Sequence, residues 1–319
     1  MGYYLGIDLG GTNIAVGVMD DTYRFLSEYH TPTLGERGFE AIIADMADAA
    51  VKALEKAGLT LKDIPYVGIG VPSSINPETN RVVYANNLQW KDDDVVGEFQ
   101  KHMDIPVFLA NDADAAALGE AIAGAAKDYT NVLMLTLGTG VGGSIILDKQ
   151  IFPGGDGYGC EPGHTTIVMD GRPCTCGRKG CLEAFASVTA LIKDTKEAME
   201  AHPDSLMHQV AWAAGKVNGK TSFDAAKQGD QAALQVVENY IHYLAVGISS
   251  LETVFRPEAV ILGGGVANQG DYLIEPVKRK VYEMSLSAEN TPEIPILHAV
   301  LGNDAGIIGA ALLGMKKFS

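Results

Sequence analysis

Carboxylate and amide side chains follow apolar segments of this sequence at two places where they could do acid–base chemistry. Asp8 lies in the first apolar segment, and Asn111-Asp112 follow the apolar run 106–110. A carboxylate at the end of a strand can accept a hydroxyl proton during attack on a phosphate, which makes Asp112 a candidate general base. Asp8 is costly to bury alone, so it either caps nearby amides or faces Mg²⁺ through water. Asp114 is expected to be the N-cap of the next helix.

Three glycine-rich turns each follow an apolar strand. Their residues are Gly10, Gly11, Thr12 and Asn13 in the first, Gly138, Thr139 and Gly140 in the second, and Gly263, Gly264 and Gly265 in the third. Glycine lets the backbone approach a ligand and present amide groups to phosphate oxygens. Neither the dinucleotide spacing G-x-G-x-x-G before a helix nor the P-loop motif is present, and the first two turns lead into strands. The pattern favours a nucleoside triphosphate bound by β-hairpins.

The four cysteines are confined to residues 160–181, a spacing that suggests a metal site. One complete tetrahedral zinc set of structural type is His164, Cys174, Cys176 and Cys181. Cys160 is the rival fourth ligand, since spacing alone does not choose between it and His164, and reduced thiols without metal are the remaining alternative. Glu161 and Glu183 flank this cluster, either as acceptors for a polyhydroxy ligand or as solvated surface carboxylates.

The charge balance limits the partners of this chain. It has 319 residues with 24 basic and 40 acidic side chains, a net charge of −16 that disfavours binding to a phosphate backbone. No apolar stretch reaches about 20 residues, and the short apolar run at the start lacks a basic flank. We expect a cytoplasmic protein that binds neither nucleic acid nor membrane.

Strands and helices alternate along the sequence, which indicates an α/β fold. The first half predicts a strand hairpin over 3–19, a helix over 39–57 ending at Gly58, a strand over 66–71, a helix over 95–103, a strand over 106–110 and a helix over 113–126. The hairpin pattern recurs 128 residues later over 133–148, and an amphipathic segment over 232–255 precedes a strand over 259–262. We expect two duplicated α/β domains facing each other across a cleft, with one doubly wound sheet as the alternative.

These motifs together resemble the ROK family of sugar kinases and sugar-responsive repressors, over the whole chain. The resemblance rests on Asp8-Leu9-Gly10-Gly11-Thr12, Asn111-Asp112, the second glycine turn, Glu161-Pro162-Gly163-His164, the Cys174-to-Glu183 string and the closing segment 301–311. It implies an actin-like ATPase fold with ATP and Mg²⁺ between two domains. The expected small domain spans 1–115 and is completed by the C-terminal helix at 304–319. The large domain spans 116–303 and carries the zinc-binding insertion at 160–183.

The resemblance also implies roles for individual residues. Asp112 corresponds to the catalytic base for the sugar 6-hydroxyl and Asn111 to a residue that holds sugar hydroxyls. Glu161, His164 and Glu183 correspond to residues that contact the sugar ring, and His164 is favoured over Cys160 as the zinc ligand. Ser73 and Asn86 fall in loops that touch sugar in relatives. Pro162 and Cys160 depart from the family pattern.

The implied activity is ATP-dependent phosphorylation of a hexose, with glucose and a role in glycolysis as the first choice. N-acetylmannosamine, fructose, mannose and allose are the alternative substrates, and a sugar-sensing regulator is the alternative class. A regulator of this family carries an N-terminal DNA-binding domain, for which the eight residues up to Asp8 leave no room. We further expect a homo-oligomer, a dimer or a tetramer. Loss of the metal should disturb sugar recognition without touching the phosphate turns.

Overall fold

The computed structural model describes residues 2–318 except Pro77, Asn86, Asn87 and Ser287. The candidate sugar-binding residue Asn86 therefore lies outside the described residues. The strands are β1 Tyr4–Leu9, β2 Asn13–Met19, β3 Phe25–Pro32, β4 Val67–Val71, β5 Ser74–Asn76, β6 Arg81–Ala85, β7 Trp90–Asp93, β8 Val107–Asn111, β9 Val132–Leu137, β10 Val141–Leu147, β11 Gln150–Ile151, β12 Ala259–Gly263 and β13 Ile296–His298. The helices are α1 Phe39–Ala57, α2 Val95–Gln100, α3 Asp112–Ile122, α4 Glu183–Ala186, α5 Val188–Ala201, α6 Met207–Ala213, α7 Thr221–Ala226, α8 Gln231–Phe255, α9 Asp271–Met284, α10 Ala305–Leu312 and α11 Met315–Phe318.

The first sheet has the strand order β3-β2-β1-β4-β8. β1 and β2 form the predicted hairpin, which is confirmed, while β1, β4 and β8 run parallel. Their register places Asp8 opposite Gly70, and Val71 opposite Asn111, so the carboxyl ends of three parallel strands share one edge. The helix after this hairpin is also confirmed, and Gly58 ends it in the left-handed conformation.

The second sheet has the order β11-β10-β9-β12-β13, a topology similar to that of the first. The predicted repeat of the hairpin is confirmed by β9 and β10, and β12 runs parallel to both β9 and β13. Gly263 stands opposite Thr136, which brings the third glycine turn to the sheet edge where the second turn begins. A small antiparallel sheet of β5, β6 and β7 was not predicted, since its strands are short and have mixed polarity.

The chain forms two compact units. The first contains Met1–Thr130, Ser144–Cys160 and Val300–Ser319, and the second contains Asn131–Gly143 and Glu161–Ala299. These bounds differ from the predicted division, in which the first domain ended at residue 115. The C-terminal segment lies in the same unit as β1.

α10 forms the centre of the first unit. All eight of its residues are buried, and it packs against β1, β4 and α3. Two glycines permit this approach. A Cβ added at Gly68 would lie 1.7 Å from the Ala310 carbonyl oxygen, and one added at Gly309 would lie 1.6 Å from the Ala115 carbonyl oxygen. The strands and α3 are therefore fixed to one another through the last part of the chain.

α3 ends at Ile122, four residues before the predicted end, because a side chain competes for the backbone. The buried Glu120 carboxylate accepts a hydrogen bond from the Ala125 amide at 2.8 Å and another from the Leu301 amide at 2.7 Å. The Ala126 amide binds the Glu120 carbonyl instead of continuing the helical pattern. Such local acceptors terminate a helix that propensity alone would extend.

The long amphipathic helix predicted over 232–255 is confirmed as α8, which begins at Gln231 after the N-cap Asp230. Most of its apolar residues are buried in the second unit, together with Glu252, and most of its other polar residues are exposed. No helix in the described part of the chain combines the length and the apolar character needed to cross a bilayer.

Candidate active site and metal centre

The start of α3 holds the candidate base at the edge of the first sheet. Asn111 is the N-cap, because its side-chain oxygen accepts the Ala113 amide at 2.8 Å and the Asp114 amide at 3.3 Å. The expectation that Asp114 caps this helix was wrong, since the helix begins two residues earlier and Asp114 lies in its first turn. Asp112, the first helical residue, accepts the Ala113 amide at 2.8 Å, and burial raises the pKa of its carboxyl above the ordinary value.

Ser73 lies next to Asn111. The Asn111 side-chain nitrogen donates to the Ser73 carbonyl at 3.3 Å, and the Ser73 hydroxyl donates to the carbonyls of Ser74 and Tyr84. Ser73 is 5% exposed, so these hydrogen bonds fix the loop after β4. The structure thus brings the Ser73 backbone next to Asn111, while the Ser73 hydroxyl binds carbonyl groups of the neighbouring chain.

Asp8 lies in a confined position at the same edge. An added Cβ at Gly70 would be 3.8 Å from both Asp8 Oδ1 and Asp112 Cα, and one at Gly306 would be 2.6 Å from Asp8 Oδ2. Burial and, secondly, the charge of Asp112 raise the pKa of Asp8 from 3.8 to about 6. Two carboxylates with raised pKa values therefore share one side of the first sheet, an arrangement more frequent at functional sites than elsewhere.

Hydrogen bonds within the first glycine turn and from Thr33 hold this turn closed. The Gly10 amide donates to the Asn13 carbonyl at 2.8 Å, and buried Thr33 donates from its hydroxyl to the Gly10 carbonyl at 2.7 Å and from its amide to the Thr12 carbonyl at 3.0 Å. Thr12 and Asn13 are exposed. The turn is thus rigid, with its outer residues open to a ligand. Thr33 was missed because nothing in its local sequence indicates a contact with residues 10–12.

The second and third turns meet at the edge of the second sheet. Gly138 donates from its amide to the Gly140 carbonyl at 3.0 Å, closing the second turn. Gly264 has φ +84°, and an added Cβ would lie 2.7 Å from the Leu137 amide nitrogen and from its carbonyl oxygen. Only glycine fits there, so the third turn lies directly against the residue that precedes the second turn.

The predicted metal ligands are brought together. The donor atoms of His164, Cys174, Cys176 and Cys181 all lie within 4.8 Å of one another. Cys176 Sγ is 3.7 Å from Cys181 Sγ, and Cys174 Sγ is 3.7 Å from His164 Nδ1. A tetrahedron with zinc–sulfur bonds of about 2.3 Å has neighbouring sulfurs about 3.8 Å apart. Two of the donor pairs have this spacing, so the four residues form a candidate zinc site.

The rival ligand Cys160 is outside this group among the described residues, so the choice that spacing left open falls on His164. Cys160 has φ +65° and is half-buried. The four candidate ligands belong to the second unit, whereas Cys160 is assigned to the first.

The acidic residues near the metal ligands differ in their surroundings. Glu161 is exposed and precedes the short 3-10 turn Pro162–His164, whose His164 amide binds the Glu161 carbonyl at 3.0 Å. Glu183 is half-buried at the start of α4 and contacts Thr175, Cys174 and Val141. The Glu161–His164 segment packs on β10, since an added Cβ at Gly163 would lie 1.8 Å from the Val141 carbonyl oxygen.

The site residues thus fall into two groups. The first unit brings together Asp8, the first turn, Ser73, Asn111 and Asp112. The second unit brings together the other two turns, Glu161, Glu183 and the four candidate metal ligands. Thr175 was missed, although its place between two cysteines is a signal that sequence reasoning could have used.

Comparison with known proteins agrees with this fold. The ROK family model matches residues 4–317. The chain is 36% identical to a glucokinase of Thermotoga maritima over 309 residues, covering 96% of this chain and 95% of that protein. Two proteins of known crystal structure are each 33% identical in sequence to this chain. One is a ROK glucokinase of Streptomyces griseus in complex with glucose and AMPPNP, with a TM-score of 0.79 and 99% and 100% of the two chains covered. The other is a ROK hexokinase of Thermus thermophilus, with a TM-score of 0.83 and 99% of each chain covered.

The fold is that of the actin-like ATPases, in the form found in sugar kinases. Within that class, the chain belongs to the ROK family.

Proposed function

We propose that this protein is an ATP-dependent glucokinase that phosphorylates the 6-hydroxyl of glucose. The observation that carries the proposal is the Asp112 carboxylate, held at a sheet edge by the first turn of α3 beside Asn111 and Asp8. The full-length similarity to glucokinases supports glucose as the sugar.

Proton transfer is assigned to Asp112. Its carboxylate accepts the proton of the sugar hydroxyl as that oxygen attacks the γ-phosphate in line. Burial raises the pKa of Asp112, which increases its proton affinity without an added group. The Asn111 oxygen is engaged in capping and one N–H of its side-chain nitrogen donates to Ser73, so the second N–H is left to donate to a sugar hydroxyl.

Nucleotide binding is assigned to the three glycine turns. In the described part of the chain, the amides of Thr139 and Gly140 have no acceptor, so both can donate to phosphate oxygens. Asp8 fits Mg²⁺ because its half-buried carboxylate has no cationic side chain beside it among the described residues. Bound Mg²⁺ supplies the positive charge that neutralises the phosphates.

Sugar recognition is assigned to Glu161, His164 and Glu183. His164 Nδ1 faces Cys174, so the zinc fit uses this nitrogen and leaves Nε2 for a sugar hydroxyl. Zinc supplies no open position in a closed four-ligand site and acts as a structural element. Its ligands fix the orientation of the His164 ring.

An ADP-release assay with glucose, N-acetylmannosamine, fructose, mannose and allose tests the proposal. We expect the highest kcat/KM with glucose and a product phosphorylated at the 6-position, identified by ³¹P NMR. A different preferred hexose would correct the substrate and keep the class. Absence of sugar-dependent ADP release from protein that binds nucleotide and sugar would refute the kinase assignment.

A further inference from the structure

Glu183 touches both the metal-ligand loop and the second glycine turn. One carboxylate oxygen, Oε2, accepts the Val141 amide at 3.1 Å. The other, Oε1, accepts the Thr175 hydroxyl at 3.0 Å and the Cys174 thiol at 3.4 Å. The carboxylate therefore bridges the residue that ends the turn and two neighbouring residues of the metal loop, one of them a candidate ligand.

The absence of a side chain at Gly140 makes this bridge possible. An added Cβ at Gly140 would lie 2.2 Å from Glu183 Oε2. By contrast, an added Cβ at Gly138 in the same turn would meet only the Gly140 carbonyl oxygen, at 4.0 Å. The requirement for glycine is thus specific to the position that faces the carboxylate.

The chain that follows Glu183 holds the rest of the turn. The Val188 amide donates to the Gly138 carbonyl at 2.8 Å, and the Thr189 hydroxyl donates to the Thr139 carbonyl at 2.7 Å. The segment 183–189 therefore binds the turn at three successive places. It begins two residues after Cys181, the last metal ligand.

We propose that Glu183 is a positioning residue that couples metal occupancy to nucleotide binding, through its hydrogen bonds to Thr175 and Val141. This inference rests on the proposed function, because it requires the second turn to bind phosphate. When zinc holds Cys174 and Cys176, Thr175 between them is fixed and orients the carboxylate. The oriented carboxylate then holds the Val141 amide and with it the shape of the turn.

The coupling must act in both directions, because linkage between two sites is reciprocal. Metal binding strengthens nucleotide binding, and nucleotide binding strengthens metal binding by the same factor. A carboxylate can accept about four hydrogen bonds, so the sugar contact implied for Glu183 is compatible with this role. The sequence had predicted that loss of the metal disturbs sugar recognition without touching the phosphate turns, and the contact of Glu183 with Val141 is the observation that favours the coupling instead.

The first test compares Thr175→Val with Thr166→Val. Both variants lose one exposed threonine hydroxyl in the same region, but Thr166 accepts from Arg178 and does not contact Glu183. Calorimetric titration with Mg–AMPPNP, without sugar, should show an affinity reduced about two- to tenfold in Thr175→Val only, the range for one hydrogen bond. Both variants should retain one zinc per chain by elemental analysis. Equal nucleotide affinity in wild type and Thr175→Val would overturn the coupling.

The second test measures how changes in the second glycine turn affect zinc affinity. Zinc affinity is measured by competition with a zinc-selective chelator, for wild type, Gly140→Ala and the matched variant Gly138→Ala. Gly140→Ala should bind zinc more weakly, although residue 140 lies far from the ligands in sequence, and Gly138→Ala should not. A merely local role of the turn would leave zinc affinity equal in all three and would contradict the proposal.

Wild type measured with and without Mg–AMPPNP completes the reciprocal comparison. Tighter zinc binding with nucleotide is expected, and the gain should shrink in Thr175→Val. If wild type binds AMPPNP but its zinc affinity does not increase, the coupling is overturned and the proposed function is not. Failure of wild type to bind AMPPNP at all would overturn the proposed function, and the coupling with it.

Discussion

Replacing Asp8 by asparagine should stabilise the protein and impair its activity. The pKa of Asp8 is raised from 3.8 to about 6, so the folded state binds this proton more tightly than the unfolded chain. The charged carboxylate therefore destabilises the fold above pH 6, and this penalty disappears as the pH falls below 3.8. At about 1.4 kcal/mol per tenfold change in proton affinity, the full penalty is about 3 kcal/mol. Asparagine has a similar shape and carries no charge, so it removes the penalty.

The assay is urea denaturation of wild type and Asp8→Asn between pH 4 and pH 8, without nucleotide or added magnesium. We expect Asp8→Asn to be more stable by about 2–3 kcal/mol at pH 8, with the difference declining towards zero at pH 4. Asp21→Asn is the matched control, because it removes the same charge from an exposed turn.

Activity is expected to move the other way, since Asp8 is the group assigned to Mg²⁺. An Asp8→Asn variant that is less stable than wild type at pH 8, or a stability difference independent of pH, would refute the reasoning. Either result would mean that the carboxylate makes a favourable interaction outweighing its burial.

Further predictions concern the base, the third turn and the metal. Asp112→Asn should reduce kcat by about 10²- to 10⁴-fold with sugar and nucleotide still bound by calorimetry, whereas an equal loss in Asp114→Asn would contradict the assignment. Wild-type kcat/KM should fall on acidification at a pH above the ordinary aspartate range, because burial raises the pKa of Asp112 and the base must be deprotonated. Gly264→Ala should lose at least about 1–2 kcal/mol of stability in urea through its positive φ, and Gly265→Ala, whose added Cβ meets nothing within 4 Å, should not. Cys176→Ala should contain less than one zinc per chain, unfold at a lower temperature and show a raised sugar KM, and full zinc content would contradict the ligand set.

Local patterns predicted the elements that position most of the site. Both hairpins, α1 with its Gly58 terminus, and α8 follow from apolar periodicity and glycine placement, which act over a few residues. The candidate metal ligands were also visible in the sequence, because their types are rare and their spacing is short. In such segments, near neighbours determine the structure.

Contacts between distant segments could not be read from the sequence. Thr33 binds Gly10 across 23 residues and so closes the first turn, and Glu183 reaches Val141 across 42 residues. The N-cap of α3 was misassigned for a related reason. Asn111 and Asp114 are both residue types that favour the N-cap. The pairing of β8 with β4 extends to Asn111, so the helix begins directly after it.

The packing of α10 has a consequence for the order of folding. The helix that covers β1 and β4 emerges from the ribosome about 300 residues after β1. At about 5–20 residues per second, that interval is on the order of 15–60 s. During this time the face of the first sheet that α10 later buries, including Gly68, lacks its cover. Nascent chains of this protein should therefore depend on chaperones to protect that face until synthesis is nearly complete.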